Sequence, residues 1–145
     1  MTSVVARAFD TIAVGDELDP LVIDVTASVI VSGAIASRDF MPVHHDRDFA
    51  NQQGAPDIFM NILSDTGYCS RFLTDWAGPD AMVKHLAIRL GVPVFPGHTL
   101  TFTGSVASVA RDGNEGIVDV ELRAVNATST TVSSPSSRRP VTRPV

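Results

Sequence analysis

The hydrophobic pattern of this chain changes period near residue 80, and that change limits the fold more than any other feature of the sequence. From Ile58 to about Trp76 the positions Phe59, Ile62, Leu63, Thr66, Gly67, Phe72, Leu73 and Trp76 recur at helical spacing, which predicts one long helix closed by Gly78-Pro79. Beyond it, Met82 to Leu90, Thr99 to Ala110 and Gly116 to Val125 are rich in β-formers and are separated by the turn-forming stretches 93–98 and 111–114. A long helix followed by strands at hairpin spacing predicts an α+β architecture, with an antiparallel sheet wrapped around the helix.

Upstream, residues 1–18 read as an irregular leader closed by the turn signal Val14-Gly15-Asp16, and Leu21 to Val25 as a short strand. Thr26 is placed to cap a helix over Ala27 to Ser37, although the Val and Ile content there leaves a strand reading open. Arg38 to Asp46 follow as an ordered loop around Pro42, with Met41 kept extended by the proline. Asp46 is placed to cap a short helix through Gln53, and Gly54-Ala55-Pro56-Asp57 breaks the chain before the long helix.

At 145 residues, with 44% hydrophobic and 19% charged, the chain is expected to form one domain with a real core. Its formal net charge is −5 and its dense arginine cluster lies in the tail, which argues against a phosphate-tracking surface and against nucleic acid as a partner. The lone Cys69 excludes an intramolecular disulfide and a cluster of cysteine ligands, and fits a reducing cytoplasm. The amino-terminal residues lack a signal-peptide pattern, and no stretch approaches the ~18 uninterrupted apolar residues of a membrane span. From Ala127 onward the composition shifts to Ser, Thr, Arg and Pro. The expectation is a domain over residues 1–126 and a largely disordered polar tail over 127–145.

Chemistry-bearing residues are concentrated in Asp39-Phe40-Met41-Pro42-Val43-His44 and the adjoining His45-Asp46-Arg47-Asp48-Phe49-Ala50. The pattern Asp-x-x-Pro-x-His, followed by Asp46 and Phe49-Ala50, resembles the hydratase motif of the MaoC-like, R-specific enoyl-CoA hydratases. The segment Arg89 to Leu100, with its Pro96-Gly97 turn, resembles a strand and turn of the same family. The longer runs ASRDFMPVHHDRDFA, DIFMNILSDTG and TDWAGP are similar to the small catalytic subunits of heteromeric MaoC-like hydratases that degrade steroid side chains in actinobacteria.

The resemblance implies a hot-dog fold and hydration of a 2-enoyl-CoA thioester whose acyl group is a steroid with a shortened side chain. It implies no cofactor beyond the coenzyme A of the substrate, and a second MaoC-like subunit as partner in a heterotetramer of two plus two. It assigns catalysis to Asp39 and His44. Hydration needs a water held at the β-carbon, a group to take its proton, and a proton for the α-carbon. Five residues apart across a proline-containing loop, Asp39 and His44 can converge on one water. Which of them takes the water's proton stays open at this level. The developing enolate oxygen calls for a backbone N–H at a helix amino terminus. Family hydratases have a glycine there; here the position is Asn61, whose N–H can donate while its side chain narrows or reshapes the pocket.

Neighbouring residues have plainer readings. His45 is expected to face solvent or the partner, and Asp46 to cap a helix. A metal held by His44, His45 and Asp46 is disfavoured because adjacent histidines in a loop rarely point the same way. Cys69 reads as a small buried residue. Asp65 lies four residues after Asn61, where hot-dog thioesterases often carry an acid, so an acyl-CoA thioesterase is one alternative; a helix-face hydrogen bond is the simpler role. A non-catalytic binding subunit is the other. Arg138, Arg139 and Arg143 are placed to meet coenzyme A phosphates, with a solvated tail as the plainer reading. The family continues past this point with one more apolar strand, so the polar stretch from Ala127 to Ser137 implies either a degenerate edge strand or a lost one.

Overall fold

The computed structural model describes residues 7–127, 130–132 and 141–144. In chain order the elements are β1 (Leu21–Asp24), α1 (Ala27–Ala36), α2 (Arg47–Gln52), α3 (Ile62–Ala77), β2 (Met82–Val83), β3 (Thr99–Asp112), β4 (Glu115–Asn126), β5 (Thr130–Val132) and β6 (Val141–Pro144). Alternation along β4 sets one wall of the core: Gly116, Val118, Val120, Leu122, Ala124 and Asn126 are buried, and the residues between them are half-buried or exposed. β3 pairs with β4 as a long antiparallel hairpin from Leu100↔Asn126 to Asp112↔Glu115, with Gly113 at φ +59° in the turn and a register shift between Val106 and Ser108. β1 joins the other side of β3, from Leu21↔Phe102 to Asp24↔Thr99.

Against this wall α3 presents Cys69, Phe72, Leu73, Trp76 and Ala77, all buried. The Phe102 ring lies 6.3 Å from Phe72 and 6.2 Å from Tyr68, so helix and sheet share one core. This is the α+β arrangement that the change of period predicts. The leader is also tied down: Gly15 N–H donates to Val106 and Leu18 N–H to Gly104, both carbonyls of β3.

Thr26 caps α1 by accepting the Val29 N–H, which settles the helix-or-strand alternative for that stretch as helix. α1 crosses α3 at Gly33, where an added Cβ would fall inside the Ser64 side chain. Glycine there sets the spacing of the two helices.

Three boundaries differ from the sequence expectation. α3 starts at Ile62, not Ile58, because Asn61 is its N-cap and Ile58 to Met60 dock by backbone bonds instead, Phe59 N–H to Val43 O at 3.3 Å and Met60 N–H to Val94 O at 2.9 Å. Of the expected strand Met82 to Leu90, only β2 has a ladder among the described residues. A strand needs a partner, and β6 offers β2 two pairings, Met82↔Thr142 and Val83↔Val141. Finally, the polar stretch is not wholly without structure: β5 pairs with β4 at Ala124↔Val132 to Asn126↔Thr130, and β6 at Glu115↔Pro144 to Val118↔Val141. The open side of β4 supplies backbone donors and acceptors that polar residues can satisfy, while Pro135, Pro140 and Pro144 each lack an N–H for a ladder. The degenerate-edge alternative is therefore the one the described residues bear. The expectation of disorder for 128–129, 133–140 and 145, with Arg138 and Arg139, lies outside the described residues.

Candidate active site

α1 ends in a turn that aims Asp39. Arg38 takes a left-handed φ of +57°, rare for a residue with a Cβ, and the Asp39 N–H folds back to the Ala34 carbonyl at 2.9 Å. Met41 is extended ahead of Pro42, as expected, and Pro42 opens a 3-10 turn over Pro42–His44. That turn brings the His44 Nε2 to 3.3 Å from the Asp39 Oδ2. The two residues named by the motif meet.

Their surroundings fix the protonation pattern. The His44 Nδ1 lies 2.7 Å from the Phe59 carbonyl oxygen, which can only accept, so Nδ1 carries a hydrogen and Nε2 is the atom left for chemistry. The imidazole is buried, 7% exposed, with the Phe59 ring edge-on at 5.1 Å and Phe95 6.2 Å beyond it. Asp39 is more open. Its Oδ1 accepts the Met41 N–H at 3.3 Å and its Oδ2 accepts the Asn61 Nδ2–H at 3.0 Å. The Asn61 bond, above all, holds the Asp39 carboxyl below its ordinary value despite some desolvation, with the Met41 N–H and His44 adding to it.

Asn61 stands at the start of α3, so its backbone N–H is at the positive end of the helix, as expected. Its side chain does not narrow a pocket. It turns back, 2% exposed, and donates to Ser37 Oγ at 2.9 Å as well as to Asp39, while its Oδ1 accepts the Ser64 N–H at 3.0 Å. Ser37, Phe59 and the Asn61 amide are the site residues that the sequence reading missed. An Asn directly before an apolar helical run, with Asp65 in the first turn, is an N-cap signal that marks one of them.

The remaining candidates separate. His45 is exposed, with its Nε2 3.3 Å from the Phe40 carbonyl, and Asp46 caps α2 through the Phe49 N–H at 3.0 Å, so neither points at His44's partners. Asp65 makes no side-chain hydrogen bond among the described residues, contrary to the helix-face bond expected of it. Its carboxyl faces a largely apolar cavity lined by Cys69, Val94, Leu100, Phe102 and Leu122, with Arg89 also in the lining, and burial pushes it up to about 7. Burial, with Asp65 nearby, pushes the Cys69 thiol up to about 12, which fits an inert core residue. Around the dyad, Ile35, Phe40, Met41, Ile62 and Leu63 are half exposed or more.

The family model described as MaoC like domain matches residues 11–129. The chain belongs to the MaoC-like family. A relative of this MaoC-like protein, the 3-oxo-4,17-pregnadiene-20-carboxyl-CoA hydratase beta subunit of Mycobacterium tuberculosis, is 53% identical over 93 residues, which are 64% of this chain and 69% of that subunit. In the crystal structure of the ChsH1-ChsH2 complex from Mycobacterium tuberculosis, a chain 41% identical superposes with a TM-score of 0.79, covering 92% of this chain and 98% of that one. The (R)-hydratase from A. caviae involved in PHA biosynthesis, at 19% identity, superposes with a TM-score of 0.74 over 93% of this chain and 98% of that one, a likeness of fold alone. The fold is the hot-dog arrangement that the resemblance implied.

Proposed function

We propose that this MaoC-like protein is the catalytic subunit of an enoyl-CoA hydratase, adding water across the 2,3 double bond of a 2-enoyl-CoA with Asp39 and His44. The observation that carries the reading is the 3.3 Å approach of a committed imidazole to a carboxylate kept ionised by its hydrogen bonds. Asp39 takes a proton from water as the water oxygen bonds to the β-carbon. The Nε2–H of protonated His44 delivers a proton to the α-carbon. The proton on Asp39 then passes to Nε2, restoring the pair, so one water is consumed and nothing else is left over. The backbone N–H of Asn61, at the positive end of α3, meets the enolate oxygen. Hydration is redox-neutral and needs no cofactor beyond the coenzyme A of the substrate.

The name of the 53% identical relative supports a steroid side-chain thioester as substrate. The complex containing the 41% identical chain supports a second MaoC-like subunit as partner, and the assembly we propose is a heterotetramer of two plus two. The exposed Ile35, Phe40, Met41, Ile62 and Leu63 give that partner or the substrate apolar surface to cover beside the dyad. Among the described residues no helix is long and apolar enough to cross a membrane, and a cytoplasmic location fits a coenzyme A thioester substrate. The thioesterase alternative rests on Asp65, whose cavity disfavours the ionised carboxylate that a base would need.

The test is hydration of a steroid 2-enoyl-CoA by the chain co-expressed with a MaoC-like partner, comparing wild type with Asp39→Ala. Formation of a 3-hydroxyacyl-CoA, lowered about 10²-fold or more by the substitution, is expected. Full activity in Asp39→Ala, or free coenzyme A as the product, overturns the reading.

A further inference from the structure

We infer that the Asn61 side chain is a positioning residue of the reaction: its amide locates the Asp39 oxygen that faces His44, separately from the N–H that Asn61 offers at the start of α3. The inference deepens the proposed hydratase reading and rests on Asp39 acting in it.

The orientation of the amide follows from its three partners. The Ser64 N–H can only donate, so the atom 3.0 Å from it is the oxygen of Asn61. The nitrogen then faces the other two. Ser37 Oγ lies 2.7 Å from the Gly33 carbonyl and spends its hydrogen there, which leaves the hydroxyl oxygen as an acceptor for Asn61 at 2.9 Å. The second Nδ2 hydrogen goes to Asp39 Oδ2 at 3.0 Å, the same oxygen that lies 3.3 Å from His44 Nε2. One buried amide thus ties the cap of α3 and the C-cap of α1 to the working oxygen of the dyad. At 2% exposure, little water competes for these bonds.

The charges facing Asp39 are few. The 3-10 turn contributes His44, α1 contributes the neutral Ser37 at its end, and α3 contributes the neutral Asn61, while Asp65 lies a turn further along α3 against the apolar cavity. Arg38 precedes Asp39 in the chain and is exposed. The Asn61 donor is therefore the principal neutral group that can favour the carboxylate, in agreement with its leading part in lowering the Asp39 carboxyl.

The variants are Asn61→Ser, which keeps a good helix cap but is too short to reach Asp39, and Asn61→Asp, which keeps cap and size but turns an oxygen toward the carboxylate. Two measurements are made on the full chain: the titration of the Asp39 carboxyl by carbon-13 NMR, and the pH profile of kcat and KM with the partner bound. In Asn61→Ser the Asp39 carboxyl should titrate higher by about 0.5 to 1 in pH, kcat should fall about tenfold with KM changed less than about twofold, and the acidic limb should move upward with the carboxyl. Asn61→Asp should raise the titration further, since a like charge replaces a donor. A folded Asn61→Ser or Asn61→Asp with wild-type titration and wild-type kcat overturns the inference. If Asp39→Ala leaves hydration intact, the functional reading fails while the NMR result still decides whether Asn61 holds the carboxyl. If Asp39→Ala abolishes hydration and Asn61 variants change nothing, this inference alone fails.

Discussion

Replacing Asp65 with Asn isolates what burial does to a charge in this core. In the folded chain the carboxyl faces Cys69, Val94, Leu100 and Phe102, and its pKa rises from 3.8 to about 7 through desolvation. Unfolded, the same group ionises near its ordinary value. Between about pH 4 and about pH 7 the native state therefore holds a proton that the unfolded state has lost, so this group lowers stability as pH rises through that window and then levels off. At about 1.4 kcal/mol for each tenfold change in proton affinity, the ceiling is about 4 kcal/mol; relaxation of the partly open site brings the expected effect to about 1–3 kcal/mol. Asn has the same shape and no charge to bury. The advantage of Asp65→Asn over wild type should be larger at about pH 8 than at about pH 4.5 by about 1–3 kcal/mol. The assay is urea unfolding at both pH values, followed by the fluorescence of the single, buried Trp76. A stability difference that is the same at both pH values refutes the reasoning, because a purely packing effect has no such pH dependence.

Gly33→Ala places a methyl against Ser64 and should cost about 1–3 kcal/mol by thermal or urea unfolding. Because Ser37 lies one turn further along α1, kcat should drop in the same variant. Asp46→Ala removes the cap of α2 and should cost about 1 kcal/mol while hydration continues at a rate within about twofold of wild type, which separates a structural member of the motif from its catalytic pair.

How legible these features are depends on how local their causes are. The caps Thr26 and Asp46, the extended Met41 before Pro42 and the β3–β4 hairpin each follow from residues within a few positions of one another, and each stands where expected. The Asp39–His44 pair was legible for the same reason. Ile58 to Met60 were not, since their apolar side chains fit a helical period while their backbone is claimed by Val43 and Val94. Residues 84–90 have strand composition, but continuing the β2–β6 register would pair them with residues 134–140, which lie outside the described residues. The Asn61 amide was hidden because its meaning lies in what sits opposite it, Ser37 and Asp39, and spacing carries no such information.

The bonds that brace the dyad span short stretches of chain. His44 reaches Phe59 across 15 residues, and Asn61 reaches Asp39 and Ser37 across 22 and 24. The pairing of Leu21 with Phe102 closes a loop nearly four times as long, which costs on the order of 1 kcal/mol more in chain entropy. The catalytic stretch is thus close to a cassette: the bonds that brace it join residues 37–64, from the end of α1 to the first turn of α3. Alterations in β5 and β6, which pair with β4 and β2 and with none of these residues, are expected to leave the hydrogen bonds of the dyad in place.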